Sequence, residues 1–261
     1  MRLSVVIPAH NEVDGIETTV RELHVRLAQS EIEHEIVVVD DHSSDGTGEL
    51  LARLAAEIAE LRPIENLGSG GFGLAVRAGL DAASGDAIAV YMADASDSAE
   101  DLVVFFRVME ERGVDCVFGT RFGPGGKTHA YPAVKLVMNR IANLGIRCLF
   151  GMRYDDTTNA FKLYRRHVVE GMKPFLSHHF NLTVEMPLKA IVRGYTYAIV
   201  PNTWTNRTLG TSKFGIKEMG SRYAFIILYC FLERWLSRGD YRSPDAPQAA
   251  RPSRRRALSR D

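Results

Sequence analysis

The sequence predicts an α/β domain with a mostly parallel central sheet flanked by helices. Three observations point there. Short β-branched runs alternate with longer stretches of helical period, and one run, Ile36-Val37-Val38-Val39, lacks polar alternation, as a strand covered on both faces should. Three of the runs end in acidic or polar clusters: Pro8–Glu12, Asp40–Ser43 and Asp94–Asp97. Strands alternating with helices of this length imply right-handed crossovers, and such sheets bind ligands outside the carboxyl ends of their strands.

Strands are expected at Leu3–Ile7, Glu35–Asp40, Ala87–Met92 and Val114–Gly119, and helices at Val13–Gln29, Gly46–Leu61, Phe72–Ala83 and Glu100–Arg112. In the second helix Leu50, Leu51, Leu54, Ala55 and Ile58 recur on one face. The glycine-rich stretch from Phe122 to Tyr131, bounded by Pro132, reads as a mobile loop near the site. Helical patterns follow at Ala133–Phe150 and Leu182–Arg193, then a strand at Tyr195–Trp204 and a last helix at Lys217–Leu236. Pro244, Pro247, Pro252 and clustered arginines describe a disordered basic tail. The expected organisation is a catalytic domain over 1–216, an amphipathic interfacial helix over 217–241 and the tail over 242–261.

Composition narrows the function classes. The 261 residues carry 32 Lys+Arg against 32 Asp+Glu, so no global field recruits nucleic acid. From Ser243 onward five arginines face two aspartates, leaving the tail about +3 and the body about −3. Cys116, Cys148 and Cys230 are odd in number and widely spaced, which argues against a disulfide framework or zinc site and for a reducing cytoplasm. The chain opens directly on a strand-like run, so no secretion signal is expected. The longest apolar run, Tyr223 to Leu232, has ten residues, and as a helix covers about 15 Å, half a hydrocarbon core. Arginines and Trp235 flank it, which leaves core, subunit interface of a homo-oligomer and membrane-surface contact open.

The strand-end clusters carry the chemistry. Asp45 and Thr47 read as helix caps, but the adjacent carboxylates of Asp40 and Asp41 should repel unless a ligand or cation uses them. Asp94 and Asp97 form an oxygen-rich cluster suited to Mg²⁺ or Mn²⁺, with Asp97 or Ser98 also able to cap the next helix. Gly68–Gly73 fits G-x-G-x-x-G, yet the segment before it, Arg62–Asn66, is a poor buried strand, so a dinucleotide fold ranks lower. Gly126-Lys127-Thr128 lacks the first glycine of a phosphate-binding loop, since position 121 is Arg. His178-His179 point apart on any regular element and make a poor metal pair.

Together these segments resemble a family. Ile7–Glu12 and Val39–Thr47 look like the opening motifs of family-2 glycosyltransferases with the GT-A fold, and Asp94 falls where that family has its D-x-D metal motif. Asp156–Lys162 is similar to the D-x-T-S-G-F-R segment of dolichol- or polyprenyl-phosphate mannose synthases, Arg207–Phe214 to their R-x-x-G-x-S-K, and Gly119–Phe122 to the segment before their acceptor loop. The departures are Met92 for the first aspartate of D-x-D, Ser96 for glutamine, Asn159-Ala160 for Ser-Gly and Lys162 for Arg. Lys135 and Asn139 stand where the family has Arg and Ser, and lysine keeps the charge but loses the bidentate fork.

The resemblance implies an inverting transferase that moves a hexose, mannose or glucose, from a nucleotide-diphosphate sugar to a polyprenyl phosphate. Pro8, Ala9, Asn11, Glu12, Asp40, Asp41, Gly70, Met92 and Ala93 are then expected at the donor. Asp94 and Ser96 hold Mg²⁺ or Mn²⁺; Asp94, Asp97, Arg207 and Lys213 serve catalysis; Arg121, Lys135 and Asn139 bind the acceptor phosphate. A lipid acceptor implies a protein on the cytoplasmic face of a membrane, held there directly or by a membrane-embedded partner subunit. The alternatives are transfer to a saccharide hydroxyl and a nucleotide-sugar-binding regulator without catalysis.

Overall fold

The computed structural model describes residues 1–206 and 216–243. The chain runs β1 (Leu3–Ala9), α1 (Ile16–Gln29), β2 (His34–Asp40), α2 (Thr47–Glu57), β3 (Leu61–Glu65), α3 (Phe72–Ala82), β4 (Ala87–Val90), α4 (Ala99–Arg112) and β5 (Cys116–Thr120). Then come β6 (Lys127–His129), α5 (Ala133–Phe150), β7 (Lys162–Arg165), α6 (Arg166–Met172), α7 (Leu182–Val192), β8 (Tyr197–Pro201), β9 (Thr203–Thr205) and α8 (Ile216–Leu236). Seven strands form one sheet in the order β3-β2-β1-β4-β7-β5-β8, with β7 antiparallel to both neighbours and every other pairing parallel.

The two-residue side-chain period of β1 divides the core. Leu3, Val5 and Ile7 face one layer with α1, α2 and α4, whereas Val6 faces the other with Val76 and Leu80 of α3. Helix α3 crosses so close that a Cβ on Gly79 would lie 2.3 Å from Val6 Cγ1, so only glycine fits there. Ser98 caps α4 by accepting the Asp101 amide, and Gly113 ends it with φ of 61°.

Three expectations change. Arg62–Asn66, judged a poor strand, contributes to β3, and Pro63 is tolerated because β3 is at the sheet edge. The loop from Phe122 to Tyr131 is not structureless: β6 lies inside it and pairs in parallel with β9. That pairing also divides the expected strand Tyr195–Trp204, which breaks at Asn202.

Helix α8 packs on α7. Ile226 and Cys230 are fully buried in the layer that holds α7, and the Arg193 guanidinium, nearly buried, forks onto Glu233 at 2.8 and 3.0 Å. One side of the apolar run Tyr223–Leu232 is therefore core. No helix among the described residues is long and apolar enough to cross a membrane.

Candidate active site

The carboxyl ends of β1, β2, β4 and β5 and the start of the antiparallel β7 all reach the same edge of the sheet. Two groups of residues meet there.

The first group is laced by backbone. Pro8 and Ala9 are buried in β1 beside Val39 and Asp40. Beyond them Asn11, in the left-handed region at φ 56°, accepts the Ser44 amide at 2.8 Å while its own amide donates to Ser43 Oγ at 3.0 Å. The Glu12 amide donates to Thr47 Oγ1, and Asp45 accepts the Thr47 and Val13 amides; the N-cap of α2 is Gly46, so Asp45 and Thr47 tie the loops together rather than cap the helix as expected.

Asp40 and Asp41 do not oppose each other, because each finds its own donors. Asp40 accepts the Ser43 amide at 3.0 Å. Asp41 is buried and accepts Asn66 Nδ2 at 2.6 Å and the Gly71 amide at 2.7 Å, drawing the Gly70 loop against it. The Gly73 and Leu74 amides donate to the His178 carbonyl. The start of α3 is thus filled by protein acceptors, so the Gly68–Gly73 stretch is no dinucleotide cradle.

At the end of β4, Met92 is half-buried and Ala93 buried, with the Ala93 carbonyl accepting Thr19 Oγ1 at 2.9 Å. The half-buried Asp94 accepts the Ser96 amide at 3.2 Å through Oδ1, in a turn that places Ala95 at φ 52°. Ser96 is buried. Asp97 is buried with Oδ2 lacking a hydrogen-bond partner. Burial first, and then the nearby Asp94 charge, push the Asp97 carboxyl up to about 7, while Arg121 and the Met92 amide pull the other way.

The second group is built from side chains. Arg121, at the end of β5, is nearly buried and bidentate on Asp156 at 2.7 and 2.8 Å. Burial works against its charge, yet Asp156 more than offsets this and raises its pKa. Its guanidinium is therefore paired, holding the loop before β7 in place instead of standing open to an anion as expected. Asn139 accepts Thr158 Oγ1 at 2.8 Å and donates to Tyr131 at 2.9 Å, so it too belongs to this network. Lys135 is exposed, with Nζ 6.0 Å from the Tyr131 ring. The Tyr131 and Trp204 rings lie 4.8 Å apart at a tilt of 55°, and the Trp204 backbone forms an antiparallel bridge with Asp97, which links the two groups.

Asn143 and Trp204 escaped the sequence reading, and Asp156 was noticed only as part of a motif. Asn143 takes the Thr157 amide and hydroxyl at 2.7 and 2.6 Å from inside α5; its spacing of four from Asn139 was the only available signal. Arg207 and Lys213 lie outside the described residues.

The sequence profile of Glycosyl transferase family 2 matches residues 4–172, which spans β1 through α6 and every strand except β8 and β9. The chain belongs to glycosyl transferase family 2. This family-2 member is 33% identical over 218 residues to a polyprenol monophosphomannose synthase of Mycolicibacterium smegmatis, covering 81% of this chain and 80% of the relative. It is 29% identical over 241 residues to an undecaprenyl-phosphate mannosyltransferase of Micrococcus luteus, covering 90% and 96%. Among solved structures, glucosyl-3-phosphoglycerate synthase from Mycobacterium tuberculosis, in complex with Mn²⁺, UDP and glucosyl-3-phosphoglycerate, superposes with a TM-score of 0.65 at 18% identity. The match covers 89% of this chain and 79% of that one, and it places the fold in the GT-A class.

Proposed function

We propose that this glycosyltransferase moves a hexosyl group from a nucleoside diphosphate sugar to the phosphate of a polyprenyl phosphate, with inversion. The observation that carries it is the meeting of two unlike edges: the carboxylates Asp94 and Asp97 beside the backbone-laced loops, and the polar network around Arg121, Asn139 and Lys135. The names of the two relatives support the lipid phosphate, and both specify mannose.

The donor chemistry fits a hard divalent cation. Two carboxylates crowd together, and a buried Asp97 oxygen lacks a partner, as oxygen ligands do before a cation arrives. No group of three acidic, His or Cys side chains converges among the described residues, so Asp94, with Ser96 and Asp97 beside it, would hold such a cation together with oxygens from outside the chain. A bound Mg²⁺ or Mn²⁺ supplies charge neutralisation for the departing nucleoside diphosphate. Met92 and Ala93 follow β4 beside the donor loops, Asn11 and Asp40 hold those loops through the Ser44 and Ser43 amides, and this reading assigns positive charge for the phosphates to Arg207 and Lys213, which lie outside the described residues.

On the acceptor edge, Lys135 and Asn139 receive the lipid phosphate, and Arg121 positions the loop carrying Thr158. A phosphate monoester is largely doubly ionised at neutral pH, its second pKa being about 6, so its oxygen attacks the anomeric carbon without a strong base. The enzyme works peripherally at a membrane surface, where its acceptor resides.

One observation favours a second reading. A buried carboxyl pushed up to about 7 is poised as a general base, which a saccharide hydroxyl acceptor would need and Asp97 would provide. Incubation with nucleotide sugars, Mn²⁺ and either a short polyprenyl phosphate or a saccharide, read by product mass, separates the two. A hexosyl phospholipid is expected; transfer only to the saccharide overturns the first reading.

A further inference from the structure

Helix α5 is amphipathic in the wrong direction for a soluble protein. At about 100° per residue, Val134, Val137, Met138, Ile141, Leu144 and Leu149 fall on one stripe, and all six are exposed, Val134 by 75% and Ile141 by 66%. The opposite stripe, where a core-facing helix carries its leucines, holds Asn139 and Asn143 beside Ile146 and Phe150. The adjoining α8 repeats the pattern: Ile226 and Cys230 are buried, while Phe225, Leu228, Trp235 and Leu236 are exposed. The two helices meet where Arg234 donates to the Phe150 carbonyl and Phe231 faces Phe150.

Charge selects the occupant. Helix α5 carries Lys135, Arg140 and Arg147 and no acidic residue. Helix α8 holds two acids, Glu218 and Glu233, against Lys217, Arg222 and Arg234, and Glu233 is buried against Arg193. The segment 207–215 is Arg-Thr-Leu-Gly-Thr-Ser-Lys-Phe-Gly and the tail beyond 243 is rich in arginine and proline, so neither offers an apolar stretch to cover the stripe. The stripe of α5, rimmed by cations alone, matches a bilayer with anionic headgroups, where each Lys or Arg near the surface adds about 1 kcal/mol and the apolar side chains enter the acyl boundary.

We propose that the exposed stripe of α5, continued by α8, seats this enzyme on an anionic lipid surface. This rests on the reading of a lipid acceptor and deepens it, because Lys135 and Asn139 lie on the same helix and are thereby held at headgroup level. It also places the main contact on α5 rather than on the last helix and tail alone.

The test is co-sedimentation of the full chain with vesicles of phosphatidylcholine, with and without phosphatidylglycerol. The wild type is expected to partition onto the anionic vesicles. The double variant Ile141→Glu/Leu144→Glu should lose at least about tenfold in partitioning with an unchanged unfolding midpoint, since two apolar side chains that enter the acyl boundary are replaced by charge. Val104→Glu, an exposed position on α4, should bind as wild type does. Should the double glutamate variant misfold, Ile141→Ser/Leu144→Ser gives the same comparison. Wild-type protein left in the supernatant, a variant that sediments normally, or a wild-type dimer made monomeric by the variant would each overturn the proposal. Transfer to a short polyprenyl phosphate in detergent is measured separately, so turnover without vesicle binding removes the docking surface and leaves the lipid-phosphate reading standing.

Discussion

The two edges of the site are made by different means. The donor edge is three short loops whose amides and side chains bond to one another, as Asn11 does to Ser44 and Asp45 to Thr47, without a buried Arg or Lys partner for its carboxylates. The acceptor edge rests on a buried ion pair between residues 35 apart, Arg121 and Asp156, fastened by Asn139, Asn143 and Thr158. A loop edge held by many separate hydrogen bonds gives way locally, whereas an edge hung on one buried charge pair fails together.

The largest consequence is for stability. Asp156→Asn leaves the Arg121 guanidinium buried without its counter-charge, an expected loss of about 3–5 kcal/mol and a midpoint drop on the order of 10 °C. Asp45→Ala on the donor edge removes the bonds to the Thr47 and Val13 amides, worth about 1 kcal/mol. Calorimetry showing equal losses would break the contrast.

Asp97 sharpens it through pH. Its folded carboxyl titrates near 7, above the ordinary carboxylate range, so between about pH 4 and 7 the folded state holds a proton that the unfolded state has lost. Stability without metal should therefore fall as pH rises through that window, by up to about 1.4 kcal/mol per pH unit, and level off above it. Asp97→Asn should flatten the curve, as urea titrations at stepped pH would record; an unchanged slope would contradict the burial argument.

The smallest effect is kinetic. Lys135→Ala, and separately Asn139→Ala, should raise the acceptor KM about tenfold while leaving the donor KM within twofold, since each removes a contact on one edge only. A parallel rise in donor KM would merge the two edges.

This difference also explains what the sequence disclosed. The donor edge was legible because Ile7–Glu12 and Val39–Thr47 are each contiguous motifs, although the bonds that join them, Asn11 with Ser44 and Glu12 with Thr47, link residues 33 and 35 apart. Most elements of the sheet were legible for the same reason, as the helix Ala133–Phe150 and its observed bounds agree. What stayed hidden depends on distant partners. Nothing local to Arg121 announces that Asp156 will bury it, and the pairing of β6 with β9 joins segments about 75 residues apart. The core role of α8 was hidden too, since Glu233 finds Arg193 only once α7 is in place.

The central claim is that Asp94 and its neighbours hold a cation at the donor diphosphate. It is tested most directly by hexosyl transfer to a short polyprenyl phosphate, measured for wild type and Asp94→Ala across a Mn²⁺ titration. The account predicts saturable Mn²⁺ dependence in the wild type and a loss of at least about 10³-fold in the variant at any Mn²⁺ level, because oxygens that stabilise developing charge are commonly worth that much. Transfer by Asp94→Ala within a few-fold of wild type, or wild-type turnover indifferent to chelation, would contradict it.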